Sequence, residues 1–199
     1  MIEATYSDRK AAIEILTQSF NSNKSVEYVI RGGKNRSAQI KALMEYAFDM
    51  CMLFGNVYLS DDKKACGLVL LPHKKKVTLK SIELDISFLL LCSGIKKVSK
   101  ILKREEAIKN AHAENSYAHL WFLGVAPKEQ GKGYGSTLLN EITELYTKIG
   151  LPVYLETSTL SNLPWYKKNG FEIIQELRLG YSLFILKKEI NIHHALAWN

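Results

Sequence analysis

Residues 118–136 read AHLWFLGVAPKEQGKGYGS. Ala118 to Ala126 form a dense apolar run that is typical of a buried strand, and Pro127 closes it. Alternating glycines follow, and the residues from Ser136 to Ile149 then place apolar side chains on one helical face. This stretch therefore predicts a strand, a glycine-rich loop and a helix in direct succession.

Hydrophobic periodicity predicts the elements on both sides of this stretch. On the N-terminal side it predicts helices over 8–20, 36–54 and 80–111, the last interrupted near Gly94, and a hairpin of strands over 56–60 and 65–71. On the C-terminal side it predicts strands over 153–157, 171–177 and 181–187 and a short helix over 162–169. This order predicts a mixed α/β domain built on one central sheet.

The glycine-rich loop has the chemistry of an anion site. Backbone N–H groups and the positive end of a helix dipole meet at a loop of this kind. The glycines Gly131, Gly133 and Gly135 leave the backbone open to a phosphate, Ser136 adds a hydroxyl and Lys132 adds charge. The alternative is a tight strand-to-helix turn that needs its glycines for geometry alone.

Two common nucleotide loops fit this stretch poorly. The mononucleotide loop ends in Lys-Ser or Lys-Thr after its last glycine, and that pair is missing here. The dinucleotide loop needs a third glycine where Ser136 stands, although Glu156 lies where a ribose-binding acid is expected. Too few residues follow Glu156 to complete a doubly wound nucleotide domain and a substrate domain, so the sequence disfavours both loops.

The motif that does fit is Q-x-x-G-x-G, here QGKGYG over residues 130–135 directly after a strand. It resembles the acyl-CoA loop of the GCN5-related N-acetyltransferase (GNAT) superfamily. The likeness continues through LETS at 155–158, NLPWY at 162–166 and GFE at 170–172, and covers about residues 118–177. This order of motifs is most similar to the small-molecule branch that includes puromycin N-acetyltransferase.

The resemblance implies an α/β fold with one N-acetyltransferase domain over residues 1–199. Its central sheet would be mixed, mostly antiparallel, splayed at the acyl-CoA site and flanked by helices. Acetyl-CoA would be the co-substrate, with its pyrophosphate on the loop N–H groups and its pantetheine arm along the strand end, and no metal is implied. The implied cofactor-binding residues are Leu123, Gly124, Val125, Gln130, Gly131, Lys132, Gly133, Tyr134, Gly135, Ser136, Asn162 and Tyr166.

The catalytic residues that we expect are Tyr166 and Glu156. The resemblance implies that the Tyr166 hydroxyl lies near the cofactor sulfur and protonates the leaving thiolate, although its alternative role is aromatic packing. Glu156 is the candidate base, directly or through a water, or else it fixes a loop or binds a cationic acceptor. Asn162 contacts the cofactor, caps the following helix, or does both. His119 falls on the same strand face as Trp121, and we expect it to be structural.

The charge pattern leaves the partner open. The 27 basic and 20 acidic residues give a net charge of +7, and lysines gather at 74–76 and between 96 and 104. No aromatic residues alternate with them, so we expect solvated helix faces and neither a nucleic-acid nor a membrane partner. No apolar run approaches the roughly 20 residues of a spanning helix. The N-terminal residues lack the pattern of a secretory leader, so we expect a cytoplasmic protein.

The cysteines and the two C-terminal histidines predict no special chemistry. Cys51, Cys66 and Cys92 are widely spaced in apolar contexts, as core residues in a reducing compartment are. His193 and His194 have no further ligands at metal spacing, so we expect no metal site. Two functions stay open: acetyl transfer from acetyl-CoA to a primary amine of a small molecule by direct attack in a ternary complex, or a non-catalytic acyl-CoA-binding module.

Overall fold

A computed structural model of the protein describes residues 1–190. Its helices are α1 (Arg9–Ser19), α2 (Lys24–Val29), α3 (Arg36–Phe54), α4 (Leu79–Phe88), α5 (Val98–Ala111), α6 (Tyr134–Lys148) and α7 (Leu163–Lys168). Its strands are β1 (Ile2–Glu3), β2 (Gly55–Leu59), β3 (Ala65–Leu70), β4 (Ala118–Val125), β5 (Val153–Thr157), β6 (Glu172–Arg178) and β7 (Ser182–Lys188). His193 and His194 lie outside the described residues.

The strands form one sheet in the order β1-β2-β3-β4-β5-β7-β6. Each neighbouring pair is antiparallel except β4 and β5, which run parallel. Helices cover both faces: α1 and α3 pack on one face, and α6 packs on the other. The predicted fold class, an α/β fold with a mixed and mostly antiparallel sheet flanked by helices, is confirmed.

The central strands β4 and β5 separate soon after they begin. Their pairing consists of Ala118 opposite Val153 and His119 opposite Tyr154. On its other side β4 stays paired with β3 as far as Val125. From residue 120 onward, the edge of β4 that faces β5 therefore has no strand partner among the described residues, which is the predicted splay of the sheet.

A β-bulge in β4 changes which side chains share a face. Leu68 of β3 is opposite Phe122 and Val69 is opposite Leu120, so Trp121 is an extra residue in β4. Such an insertion twists the strand and lets neighbouring residues point to the same side. Trp121 and Phe122 accordingly line the same cavity on the α1 and α3 face.

The predicted helices and strands agree with the structure to within a few residues. The helix predicted over 36–54 has these same bounds, and the region over 80–111 is divided near Gly94, whose φ is +70°. The short elements β1 and α2 were not predicted. The three cysteines are buried, in agreement with the expected core positions. Within residues 1–190, no helix combines the length and apolar character needed to cross a membrane.

Candidate functional site

The glycine-rich loop between β4 and α6 is both conformationally demanding and open. Gly131 and Gly133 have φ angles of +78° and +93°, a region that L side chains rarely adopt. A Cβ built on either residue would meet no atom within 4 Å, so the space above the backbone is empty of protein. Gly135 differs, because its Cβ would lie 3.2 Å from Cγ2 of Val125. Turn geometry therefore explains Gly131 and Gly133, and close packing explains Gly135. The open backbone above Gly131 and Gly133 could also receive an anion.

Polar side chains fix the start of the loop. The Gln130 amide donates to the Val125 carbonyl at 3.2 Å, which ties the loop back to the end of β4. Nζ of Lys132 lies 3.1 Å from Oε2 of Glu129. This hydrogen bond lowers the pKa of Glu129 below its ordinary value. Part of the Lys132 charge is therefore already balanced by a carboxylate beside the loop.

The first turn of α6 is held by two further contacts. Nε1 of Trp165 donates to Oγ of Ser136 at 2.8 Å, which leaves the serine O–H able to donate to a ligand. Nζ of Lys64 donates to the Tyr134 hydroxyl at 3.1 Å. The Tyr134 side chain thus contacts Lys64, which lies in the turn between β2 and β3.

The strand end at Leu123, Gly124 and Val125 packs closely on α1. A Cβ on Gly124 would lie 2.9 Å from Oγ of Ser19, so glycine is required there for helix packing. The same Ser19 hydroxyl donates to the Val125 carbonyl at 2.7 Å. Leu123 packs on the opposite face, against the core under α6. Helix and loop contacts therefore fix the backbone at the opening between β4 and β5.

His119 and Glu156 meet where β4 and β5 separate. His119 belongs to the last register pair of the two strands, and Glu156 lies two residues beyond its partner Tyr154. Nε2 of His119 lies 2.7 Å from Oε2 of Glu156. Nε2 of His112, at the end of α5, lies 3.5 Å from the other carboxylate oxygen. All three side chains are at least nine-tenths buried.

The contacts of the pair favour the charged form of each group more than burial alone would allow. Burial alone would raise the pKa of Glu156, but the charge and hydrogen bond of His119 and the charge of Arg104 hold this pKa below its ordinary value. Burial alone would lower the pKa of His119, but the charge and hydrogen bond of Glu156 raise it above its ordinary value. Each group thus stabilises the charged form of the other.

Arg104 is buried, although it follows the lysines of 96–103 that the sequence predicts on solvated helix faces. Its guanidinium is buried, and it donates to Oγ of Ser25 at 2.9 Å and to the Tyr181 hydroxyl at 3.3 Å while pairing with Glu105. The spacing of Ile101, Arg104 and Ile108 places them on one helix face, and that signal was available in the sequence.

His112 is the other residue beside Glu156, and nothing around His112 in the sequence indicates this position.

A cavity of about 470 Å³ opens beside this pair. Its walls are mostly apolar and include the five aromatic side chains Phe20, Tyr46, Phe88, Trp121 and Phe122. Its polar lining residues are Asn23, Ser25, Lys75, Asp85, Arg104, Glu105, His119, Glu156 and Ser158. The arrangement can hold an apolar molecule with a basic group directed at His119 and Glu156.

The other two predicted site residues lie on and before α7. The Tyr166 ring is buried and packs edge-on against Phe171, with ring centroids 5.8 Å apart. Burial, followed by the charge of Glu156, raises the pKa of Tyr166, so the phenol stays protonated. Asn162 immediately precedes α7, but its side chain makes no capping hydrogen bond, so the predicted capping role is not observed.

The structure brings no metal site together in residues 1–190: no group of three or more His, Cys, Asp and Glu side chains there could hold a metal ion. His112, Glu156 and His119 are neighbours; His119 is hydrogen-bonded to Glu156, whereas Nε2 of His112 lies 3.5 Å from the carboxylate and makes no hydrogen bond within the described residues. The absence of a metal stays a prediction.

Comparison with known proteins agrees with this geometry. Residues 100–173 match the family model described as "Acetyltransferase (GNAT) domain". An uncharacterized N-acetyltransferase of Schizosaccharomyces pombe is 45% identical over 64 residues, which are 31% of this chain and 26% of that protein. The match thus spans about a quarter of that relative's length.

Solved structures share the fold over almost the whole chain. A histone acetyltransferase HPA2 and related acetyltransferase from Corynebacterium glutamicum has a TM-score of 0.67 at 18% identity, covering 95% of this chain and 94% of that one. Arylalkylamine N-acetyltransferase 2 from Aedes aegypti has a TM-score of 0.62 at 17% identity, covering 96% and 98%. The C-terminal condensation domain of Ebony, solved with beta-alanyl-dopamine, has a TM-score of 0.69 at 10% identity, covering 95% and 97%. Over residues 100–173 the chain is thus similar to the acetyltransferase (GNAT) domain, and over almost its whole length its splayed seven-stranded sheet has the fold of these solved structures.

Proposed function

We propose that the protein transfers the acetyl group of acetyl-CoA to a primary amine of a small molecule by direct attack in a ternary complex. The observation that carries this proposal is the buried His119–Glu156 pair at the opening between β4 and β5, beside a largely apolar cavity. The pair provides a proton acceptor, and the cavity provides room for an acceptor molecule. The match to the acetyltransferase (GNAT) domain supports acetyl-CoA as the donor.

The proposed donor site combines the loop and the unpaired strand edge. The N–H groups from Gln130 to Ser136 would hold the pyrophosphate, with Lys132 and the Ser136 hydroxyl assisting. The β5-facing edge of Leu123 to Val125 would pair with the amide-bearing pantetheine arm as with an added strand. Asn162 would contact the cofactor, a role supported by its lack of a capping bond. Acetyl-CoA supplies an acetyl group already activated as a thioester.

His119 is the proposed base and Glu156 its positioning residue. A primary amine arrives mainly as an ammonium at neutral pH, and His119 in its neutral form accepts one of the ammonium protons. Glu156 fixes the ring and stabilises the imidazolium that results. Its lowered pKa makes the carboxylate itself a weak base, which favours this assignment over direct proton abstraction by Glu156.

Tyr166 is the proposed acid for the leaving group. The amine nitrogen bonds to the acetyl carbon as the carbon–sulfur bond breaks, and the Tyr166 phenol donates its proton to the departing sulfur. A backbone N–H near Val125 polarises the carbonyl oxygen. After the attack, the nitrogen gives up its second proton to the Tyr166 phenolate, which restores the phenol. The first proton leaves His119 for the solvent, so one proton is released per turnover. The products are the acetylated amine and free coenzyme A.

The acceptor is proposed to be an amine with an apolar, aromatic-compatible body. Five aromatic side chains line the cavity, and offset or edge-on contacts with an aryl group would stabilise its binding. Asp85, hydrogen-bonded to the Tyr46 hydroxyl at 2.8 Å, adds a carboxylate to the lining. Two solved neighbours carry the name arylalkylamine N-acetyltransferase, which agrees with this class.

Calorimetry and thiol release test the proposal in sequence. Isothermal titration should detect acetyl-CoA binding, and a panel of arylalkylamines, polyamines and amino acids should then release free thiol fastest with the arylalkylamines. Absence of acetyl-CoA binding would overturn the donor assignment. Binding without thiol release from any amine would instead favour the second function, a non-catalytic acyl-CoA-binding module.

A further inference from the structure

The segment from His73 to Arg104 holds the positive charge of the whole chain. It contains nine Lys and Arg residues and two acidic ones, a net charge of +7, which equals the net charge of all 199 residues. The rest of the chain therefore contains equal numbers of basic and acidic residues and carries no net charge. Seven of the eight lysines in this segment are exposed, the exception being Lys97, whose ammonium donates to backbone carbonyls of α2 and the residue after it.

The same segment exposes most of the large apolar side chains on the described surface. Eight of the fourteen exposed large hydrophobic residues in 1–190 lie here: Val77, Leu79, Ile82, Ile86, Leu90, Leu91, Ile95 and Leu102. Leu79, Ile82, Ile86 and Leu90 recur at helical spacing and lie along one outer stripe. Their exposed fractions are 90%, 44%, 52% and 67%. We call these eight side chains and the seven exposed lysines the basic–apolar face.

The part of this face that lies on α4 belongs to a well-formed helix. Thr78 and Ser81 cap α4 reciprocally, with the Ser81 N–H donating to Oγ1 of Thr78 at 3.0 Å and the Thr78 N–H donating to Oγ of Ser81 at 2.9 Å. On the inner side of the same helix, Leu84 is buried in the core that includes α3. The packing of Leu84 and the cap at Thr78 thus hold α4 in place, and the outer stripe of exposed side chains follows from the position of this helix.

We propose that the basic–apolar face docks on the surface of an anionic phospholipid bilayer. A surface helix with aliphatic side chains on its outer stripe and lysines around them matches the two demands of that interface, because the aliphatic groups enter the acyl boundary while the ammonium groups meet the headgroup phosphates. The sequence alone indicates solvated lysines here. The exposed aliphatic side chains between those lysines change the interpretation, since solvation alone does not account for them.

Charge argues for this occupant over the others. A second copy docked through the same face would bring two segments of net charge +7 together, which is repulsive. A nucleic acid would attract the lysines but would leave eight aliphatic side chains without a role, and the segment offers no exposed aromatic residue for base stacking. An anionic bilayer offers phosphate headgroups to the lysines and an acyl layer to the aliphatic side chains, so it accounts for both kinds of residue.

Docking would set the cavity against the bilayer. Phe88, Leu89, Val98, Ile101 and Leu102 line the cavity from within the same segment. Leu102 both lines the cavity and is 62% exposed, so the cavity wall and the docking face share a residue. The proposal goes beyond the proposed function and does not depend on it, because it concerns the outer surface and is tested without acetyl-CoA.

Vesicle flotation of the full chain tests the proposal. Vesicles of phosphatidylcholine alone are compared with vesicles that contain about one-third phosphatidylserine. We expect flotation with the anionic vesicles only, and we expect it to weaken as salt is raised. No flotation with anionic vesicles at low salt would overturn the proposal.

Two sets of variants separate the parts of the face, and circular dichroism checks that each is folded. Ile82→Ser with Ile86→Ser removes apolar contacts, and Lys74→Gln with Lys76→Gln and Lys96→Gln removes charge. Each set should lower the partition coefficient by about tenfold or more. The matched control is Ile149→Ser with Ile174→Ser, two exposed residues outside the segment, which should bind as the unchanged protein does.

Three results would overturn the proposal. Equal binding by the Ile82→Ser, Ile86→Ser variant and the control would show that no apolar insertion occurs. A dimer in solution that dissociates only in this variant would assign the face to a second copy. Salt-sensitive retention by a nucleic acid without vesicle flotation would assign the lysines to that partner.

Discussion

Nε2 of His119 lies 2.7 Å from Oε2 of Glu156, and the two side chains come from neighbouring parallel strands at the point where those strands separate. The parallel pairing brings the residues together, and the loss of pairing beyond it leaves room beside them. A buried acid and histidine at the mouth of a cavity are a common arrangement for moving a proton. The proposed chemistry depends on this relationship.

His119→Gln should lower kcat by about two to four orders of magnitude, because the ammonium loses its proposed proton acceptor. The dissociation constant of acetyl-CoA should change little, since no donor contact is assigned to His119. Steady-state thiol release and calorimetry measure the two quantities. His73→Gln, at an exposed position, is the matched control and should leave both unchanged. Equal turnover of His119→Gln and the control would remove His119 from the mechanism.

Glu156→Gln should move the acidic limb of the pH profile of kcat/KM to lower pH. The charge and hydrogen bond of Glu156 raise the pKa of His119, and only the neutral imidazole accepts a proton. Without the carboxylate charge the His119 pKa falls, so the neutral form persists at lower pH even though kcat is reduced. A limb that disappears in Glu156→Gln would instead identify Glu156 as the titrating base.

The same pair predicts how folding stability varies with pH. The raised pKa of His119 contributes stability that is full below its ordinary value of 6.5 and is lost as pH rises through the folded value. The lowered pKa of Glu156 contributes stability that is full above its ordinary value of 4.5 and is lost as pH falls through the folded value. The difference in unfolding free energy between the protein and a His119→Gln, Glu156→Gln variant should therefore be largest between 4.5 and 6.5.

Urea unfolding at several pH values measures this difference. The variant supplies the baseline, because its glutamines do not titrate. A difference that stays constant from acidic to alkaline pH would contradict the charged state assigned to the pair.

The sequence predicted the loop side of the site better than the acceptor side. The motifs over 118–177 are local, so strand, loop and helix follow from neighbouring residues. The cavity is assembled from side chains as far apart as Phe20 and Ser158, which no local pattern joins. The bulge at Trp121 adds a further difficulty, because simple alternation would place Trp121 and Phe122 on opposite faces. The burial of Arg104 is equally hard to predict, because an arginine is usually exposed and only its spacing from Ile101 and Ile108 indicates the inner face of α5.

Gly133→Ala tests whether the loop backbone holds the donor. The φ of +93° makes alanine unfavourable by about 1 kcal/mol, and the added methyl group would enter the open space above the loop. Gly150→Ala is the matched control, because Gly150 has a φ of +77° and equally open surroundings but lies beyond the far end of α6. Both variants should lose similar stability, and only Gly133→Ala should weaken acetyl-CoA binding in calorimetry. Equal affinities would refute the phosphate-binding role.

Tyr166→Phe should lower kcat by about one to two orders of magnitude while acetyl-CoA affinity stays nearly constant. The phenylalanine keeps the packing against Phe171 and removes only the proton donor. The deficit should shrink when the thioester has a leaving thiol of lower pKa, since such a thiolate needs less protonation. Unchanged turnover would leave Tyr166 with its packing role alone.

The fate of the acetyl group tests the central claim most directly. The protein is incubated with acetyl-CoA carrying a deuterated acetyl group and with an arylalkylamine, and all products are identified by mass spectrometry. We predict that the labelled acetyl group is recovered on the amine nitrogen, with one free coenzyme A for each acetylated amine. Label recovered only as free acetate, or only on lysines of the protein itself, would contradict the proposed transfer to a small-molecule amine.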